Sequence, residues 1–245
     1  MAPTPAELAE DTLAYLLPSP MFRPAARDGY VYVEGAAAAW VARVRRVDVA
    51  AVRTEARATG ARRVEWWLGP SAPRSAADEL LAGGLVAGDP PVLTALTLDR
   101  EPPGPGSVAV RTADPEEAAR VEQEVWGGDL SPAAEASPVV HNFAAIVDGA
   151  VAGVARAVDM AGGVALMGAV VLPAFRGHGA YRALVHARWR HAAARGTPLL
   201  VVQAGPMSSP ILERLGFARH GDVHLLVDPA VASGHGDDRD EHRAG

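Results

Sequence analysis

The chain of 245 residues contains no cysteine. Disulfides, thiolate metal sites and a cysteine nucleophile are excluded by that alone. Lysine is missing too, since all 23 basic residues are arginine. Schiff-base chemistry and the P-loop of GxxxxGK[ST] ATPases both require the missing amine. No apolar run approaches the roughly 20 residues of a membrane span. The opening "MAPTPAELAEDTLAYLLPSP" lacks a basic segment followed by a long apolar one, so no secretory leader is expected. A cytoplasmic protein without a membrane partner is the expectation. The formal net charge of -6 points away from nucleic acid, whose phosphates call for a basic face. It leaves room for a local basic site that takes a small anion.

What is present is an ordinary globular balance, 49% hydrophobic and 21% charged. The clearest break is "LDREPPGPGSVAVR", Leu98 to Arg111, where prolines and glycines cannot continue a helix or a central strand. The expected division is a first domain over 1–101, a linker over 102–107, a second domain over 108–229 and a disordered polar tail over 230–245. In the second part the periodicities read β-α-β-β-β-α-β-α-β, an α/β domain with a mixed sheet. Asp148-Gly149 marks a tight hairpin, and Gly196 and Gly216 end helices.

The first part repeats this order in degenerate form. Helix, glycine, strand, Gly-Pro turn, helix and Gly-Leu/Phe recur, with Gly69-Pro70 aligned to Gly205-Pro206 and Gly84-Leu85 to Gly216-Phe217. The first copy has no counterpart of the loop "FRGHGA", because "WVARVRRVD" passes straight into its helix. Any function carried by that loop belongs to the second copy.

That loop lies in "VVLPAFRGHGAYRAL", Val170 to Leu184. Gly177 and Gly179 remove side chains that would hold a ligand off the backbone, and they permit positive φ. The helix that follows offers unpaired N–H groups and a positive dipole end, and Arg176 adds a planar donor fork. Together these make a phosphate or pyrophosphate cradle, although a Gly-x-Gly turn also serves simply to join strand to helix. A dinucleotide fingerprint is excluded, because its third glycine would fall on Arg182.

"VVLPAFRGHGA", the later "SSPILERLGF" and the opening "VAVRTA…EEAARVEQEVW" together resemble the GNAT superfamily of N-acetyltransferases over roughly residues 107–228. The resemblance implies a mixed, V-splayed central β-sheet, preceded by a smaller, truncated GNAT-like α/β domain. It implies acetyl-CoA as co-substrate, with its pyrophosphate on Arg176, Gly177, His178, Gly179, Ala180 and Tyr181. The pantetheine arm would pair with Val170, Val171 and Leu172, and Ser208 would reach it from the other wall. The reaction implied is direct attack of a primary amine, from a small molecule or a peptide, on the thioester. A base takes the ammonium proton, and a main-chain N–H near Val171 polarises the carbonyl.

Three positions depart from the family pattern. Tyr181 stands where a small residue is usual, its ring directed onto the adenine, into the core or against the first domain. The closing-helix tyrosine that protonates the thiolate is replaced by Leu212, and Tyr181 is the only tyrosine after residue 32. An asparagine usual at the start of that helix is replaced by Gly205 or Pro206. Ser208 and Ser209 read equally as helix N-caps. Candidate bases are Glu122, Glu124, His141 and Asp159, with Glu124 and His141 assigned as the catalytic pair; a solvated helix face, a strand end and a turn are the plain alternatives. His186 and His191 lack the i, i+4 spacing of a helical metal pair, so no metal is expected. The functional expectation is an N-acyltransferase, monomeric or homodimeric; its alternative is a non-catalytic acyl-CoA-binding or regulatory module.

Overall fold

The computed structural model describes residues 2–127 and 137–233. Its first half contains α1 (Pro5–Glu10), β1 (Arg23–Arg27), β2 (Tyr30–Glu34), β3 (Ala38–Ala42), α2 (Val49–Thr59), β4 (Arg63–Leu68), α3 (Ala76–Ala82) and β5 (Val86–Leu98). Its second contains β6 (Ala109–Thr112), α4 (Pro115–Trp126), β7 (Val140–Val147), β8 (Ala150–Met160), β9 (Gly163–Val171), α5 (Ala180–Ala194), β10 (Leu200–Ala204), α6 (Ser209–Arg214) and β11 (Ala218–Val227). A last short helix, α7 (Pro229–Ser233), buries Val231. It falls where the sequence reading begins a tail; residues 234–245 lie outside the described ones.

Local chemistry sets most boundaries. Asp114 caps α4 by accepting from the Glu117 N–H at 2.7 Å, with Pro115 in the first turn. Asp148 and Gly149, both at positive φ, close the β7–β8 hairpin. The repeat read from the sequence is also visible in the helix endings. Leu85 N–H donates to Leu80 O at 3.1 Å, and Phe217 N–H donates to Leu212 O at the same distance.

Among the described residues eleven strands form one sheet, ordered β1-β2-β3-β4-β11-β5-β10-β9-β8-β7-β6. This order departs from two sheets side by side. The last strand of each half is exchanged: β11 pairs with β4, β5 pairs with β10, and the two exchanged strands pair with each other. The segment between β5 and β6 therefore runs from the middle of the sheet to its edge, across α5, where Glu101 Oε1 accepts from His186 Nε2 at 3.2 Å. Trp66 and Trp67 divide as alternation requires, Trp66 fully buried in the first-half cluster and Trp67 against the central one.

In the second half, helices cover both faces. Val154 packs with Ala118 and Val121 of α4, whereas its neighbour Ala155 packs with Ala183 and Leu184 of α5. The α4 face continues into α1 and the turn Thr12–Tyr15, which bury Leu8 and Leu13 with Val158 and Met160.

A chain cut to residues 108–245 loses β5, the strand that lies between β10 and β11. We expect no cooperative thermal transition by circular dichroism, where the full chain gives one; a sharp transition in the cut chain would contradict the exchange.

Candidate functional site

The parallel pair β9–β10 is short. Only Val164 with Leu200 and Ala165 with Val201 are in register, although β9 runs on to Val171 and β10 to Ala204. The other edge of β9 stays paired with β8 as far as Val171 opposite Gly153. From Leu166 onward β9 thus turns an open edge toward β10, and the two strands diverge. The equivalent pair in the first half, β3–β4, is in register at four positions, from Ala38–Arg63 to Val41–Trp66. The first half has no such gap.

Two glycines shape the open side. Gly168, at φ +47, is the extra residue at a register shift, since Ala155 opposes Ala169 and Arg156 opposes Met167. The bulge reverses the facing of the strand: Leu166 packs on the α5 side, as does Ala169 beyond the bulge. Gly179, at φ +84, is the N-cap of α5 and supplies no side chain to occupy the first-turn amides. Gly177 also has φ +84, and a Cβ there would meet nothing within 4 Å. Arg176, Gly177 and His178 are exposed, and His178 Nδ1 lies 3.1 Å from Arg176 O. The loop therefore presents backbone donors and a guanidinium to solvent at a helix N-terminus, an arrangement suited to an anion. Arg182, which the sequence reading used only to exclude a dinucleotide fingerprint, adds a second guanidinium. Its Nη2 lies 3.6 Å from where a Cβ of Gly179 would stand.

The remaining assigned residues separate. Val170 is buried against α4, with Val171 and Leu172 partly buried beside it at the end of β9. Ala180 is buried under the loop. Tyr181 turns inward, against the cluster of Leu166, Val202 and Leu212, rather than outward over the loop. Burial pushes its phenol above the ordinary value, with the Arg188 charge opposing. Ser208 occupies the N-cap position of α6 without capping it, because its hydroxyl donates to Gly205 O at 3.3 Å.

Neither carboxylate-or-histidine choice meets the gap. Glu124 is exposed on α4. His141 faces α5 at the closed end of the sheet, where its Nε2 lies 3.2 Å from Asp159 Oδ2. The buried Asp159 carboxylate also engages His191 Nε2 at 2.9 Å and Arg195 Nε at 3.1 Å. The three potential ligand atoms lie within 4.8 Å of one another, a grouping the sequence spacing hid because it joins two strands to a helix. Arg195 already supplies a cation to that carboxylate. His191 is twelve residues beyond Gly179 in the chain, about 18 Å along the helix axis, so the cluster and the loop occupy opposite ends of α5.

Glu122 is the carboxylate that does reach the gap. Its Oε1 lies 3.3 Å from where a Cβ of Gly168 would stand, and the Trp126 ring lies 3.5 Å from the same point. Arg156 holds it through Nη2 at 3.1 Å from Oε1, and donates from Nε to Asn142 Oδ1 at 3.2 Å. The α4 side of the sheet near the bulge thus carries a half-buried carboxylate from α4, a guanidinium from β8 and an amide from β7.

Solved structures share this architecture. A GCN5-related N-acetyltransferase from Kribbella flavida superposes with a TM-score of 0.65 at 20% identity, covering 94% of this chain and 96% of its own. The chain has the tandem GNAT fold. A GCN5-related N-acetyltransferase-like protein from Streptococcus suis matches with a TM-score of 0.56 at 14% identity over 85% of this chain and 88% of that one. A tandem GNAT protein from the clavulanic acid biosynthesis pathway matches with a TM-score of 0.51 at 19% identity over 81% and 78%. The sequence itself matches no protein-family model and no curated protein. No described helix is long and apolar enough to cross a membrane.

His141→Ala is expected to destabilise the fold by about 1–3 kcal/mol in urea titration, because it strips a partner from buried Asp159. Acetyl-CoA affinity by calorimetry should stay within about twofold. A stable H141A protein with lost affinity would return His141 to the binding site.

Proposed function

We propose that the protein is an acetyl-CoA-dependent N-acyltransferase that acetylates a primary amine of a small molecule or peptide. The observation that carries the reading is the open edge of β9 beside a positive-φ Gly-x-Gly loop at the uncapped N-terminus of α5. Amides of Gly177 to Tyr181, with Arg176 and Arg182, would hold the pyrophosphate. The free edge at Val170 to Leu172 would pair with the pantetheine amides as an added strand does. Ser208 would reach the pantetheine from the opposite wall.

On the α4 face, Glu122 replaces Glu124 and His141 as the proposed base. Held in place by Arg156, it stands beside the bulge where it can receive the ammonium proton. The bend in β9 at Gly168 frees main-chain N–H groups to polarise a carbonyl in the gap. The first half adds an apolar wall, since its Tyr15, Trp40 and Trp67 pack around the same cluster as Met167 of β9. We place the enzyme in the cytoplasm with a small amine as its partner. One observation favours the rival reading of a non-catalytic acyl-CoA-binding module: Leu212 is fully buried and offers no proton to a leaving thiolate.

Gly179→Val would force a β-branched residue to φ +84 and fill the cradle. It should weaken acetyl-CoA binding at least about tenfold by calorimetry; unchanged affinity refutes the cradle. Glu122→Gln should bind acetyl-CoA normally yet lose about a hundredfold in kcat/KM, read as thiol release over an amine panel. Binding without transfer by the wild type would select the module.

A further inference from the structure

Transfer of an acyl group to an amine releases a thiolate, and the gap that would receive it is apolar on its α5 side. Leu166 of β9, Val202 and Ala204 of β10, and Leu212 of α6 form that wall. An anion generated against such a surface requires a donor or a cation that is already in place.

Two largely buried polar side chains of α5 lie on this side of the sheet. Tyr181, in the first turn, packs into the wall itself. Arg188, two turns later on the same stripe of the helix, is 1% exposed. Its Nε donates to Leu184 O at 3.0 Å and its Nη1 to Arg156 O at 3.4 Å. Its Nη2 is buried without a hydrogen-bond partner. Among the described residues no carboxylate pairs with it, in contrast to Arg156, which has Glu122. The Arg156 carbonyl belongs to the register shift opposite Gly168. Arg188 therefore stands beneath the bulge, on the face of the sheet opposite Glu122. A buried guanidinium with no carboxylate partner is costly to keep.

We propose that Tyr181 and Arg188 form the thiolate-receiving side of the site. The Arg188 cation stabilises charge growing on the departing sulfur, and the Tyr181 hydroxyl gives that sulfur its proton. The inference rests on the acyl-CoA reading above. In the step, the amine lone pair forms the C–N bond and the C–S electron pair passes to sulfur. Tyr181 protonates the sulfur and regains a proton from water, while the ammonium proton goes to Glu122. Burial supports the assignment of states. It lowers the Arg188 pKa only to about 10, so the group stays charged at neutral pH, and it raises the Tyr181 pKa, so the phenol stays a donor. Leu212 then needs no hydroxyl, because the proton comes from the facing helix.

The test needs no acceptor. CoA is bound to the full-length protein, and its thiol is titrated by thiolate absorbance against a desulfo-CoA complex as blank. The bound thiol should ionise about one pKa unit below free CoA, a tenfold gain in thiolate at neutral pH. Tyr181→Phe, and Arg188→Gln where circular dichroism shows it folded, should move the value back toward free CoA. If Arg188→Gln does not fold, Tyr181→Phe decides. A bound thiol that titrates like free CoA, or one unmoved by Tyr181→Phe, overturns the proposal while leaving CoA binding intact. Calorimetry that detects no CoA binding overturns the acyl-CoA reading itself, and this inference with it.

Discussion

The pairing of β10 with β5 is the constraint on which the rest of the molecule depends. Five consecutive positions, Leu200–Leu98 to Ala204–Thr94, hold β10 by one edge along its whole length. A strand held along one edge keeps its place when its neighbour on the other side departs, and the N–H and C=O groups of the opened edge are left for another partner. β9 has the same protection from β8. Each strand of the diverging pair is thus anchored away from the gap, and the gap remains between them. Because β5 comes from the first half, that half is a structural component of the site even though it carries no loop of its own.

The duplication explains why there is one site rather than two. β3 and β4 are the counterparts of β9 and β10, yet they stay in register over four positions and end at Arg43, a non-glycine residue at φ +51. The second copy stops pairing after two positions, inserts a bulge at Gly168 and continues into the Arg-Gly-His-Gly loop. The bulge and the loop do different work. The bulge brings carboxylate and cation close to one stretch of backbone from opposite faces, and the loop gathers amides at the head of α5.

Much of this was legible in the sequence because it is local. The Gly-x-Gly corner, the Asp-Gly hairpin and the matched helix endings each depend on a few adjacent residues with strong backbone preferences. The strand exchange was not, since Pro90 and Pro91 argue against a strand over β5, and its partners lie more than a hundred residues away. Side-chain facing was the other blind spot. His141 and Asn142 are adjacent on β7 and point to opposite faces, so a slip of one residue in phase moves a histidine from the gap to the α5 side. Glu122 and Glu124 are separated by roughly half a helical turn, and only the packing of α4 decides which meets the bulge. Tyr181 was visible as an anomaly; its direction was set by packing against the buried cluster between α5 and the sheet, which no spacing reveals.

The central claim is that the open edge of β9 is where an acyl-CoA seats. Hydrogen exchange by mass spectrometry, with and without saturating acetyl-CoA, tests it most directly. The account predicts added protection over Leu166–Val171 and over residues 177–182, with β3 and the turn after it unchanged. Protection confined to the first half, or none along β9, would contradict it.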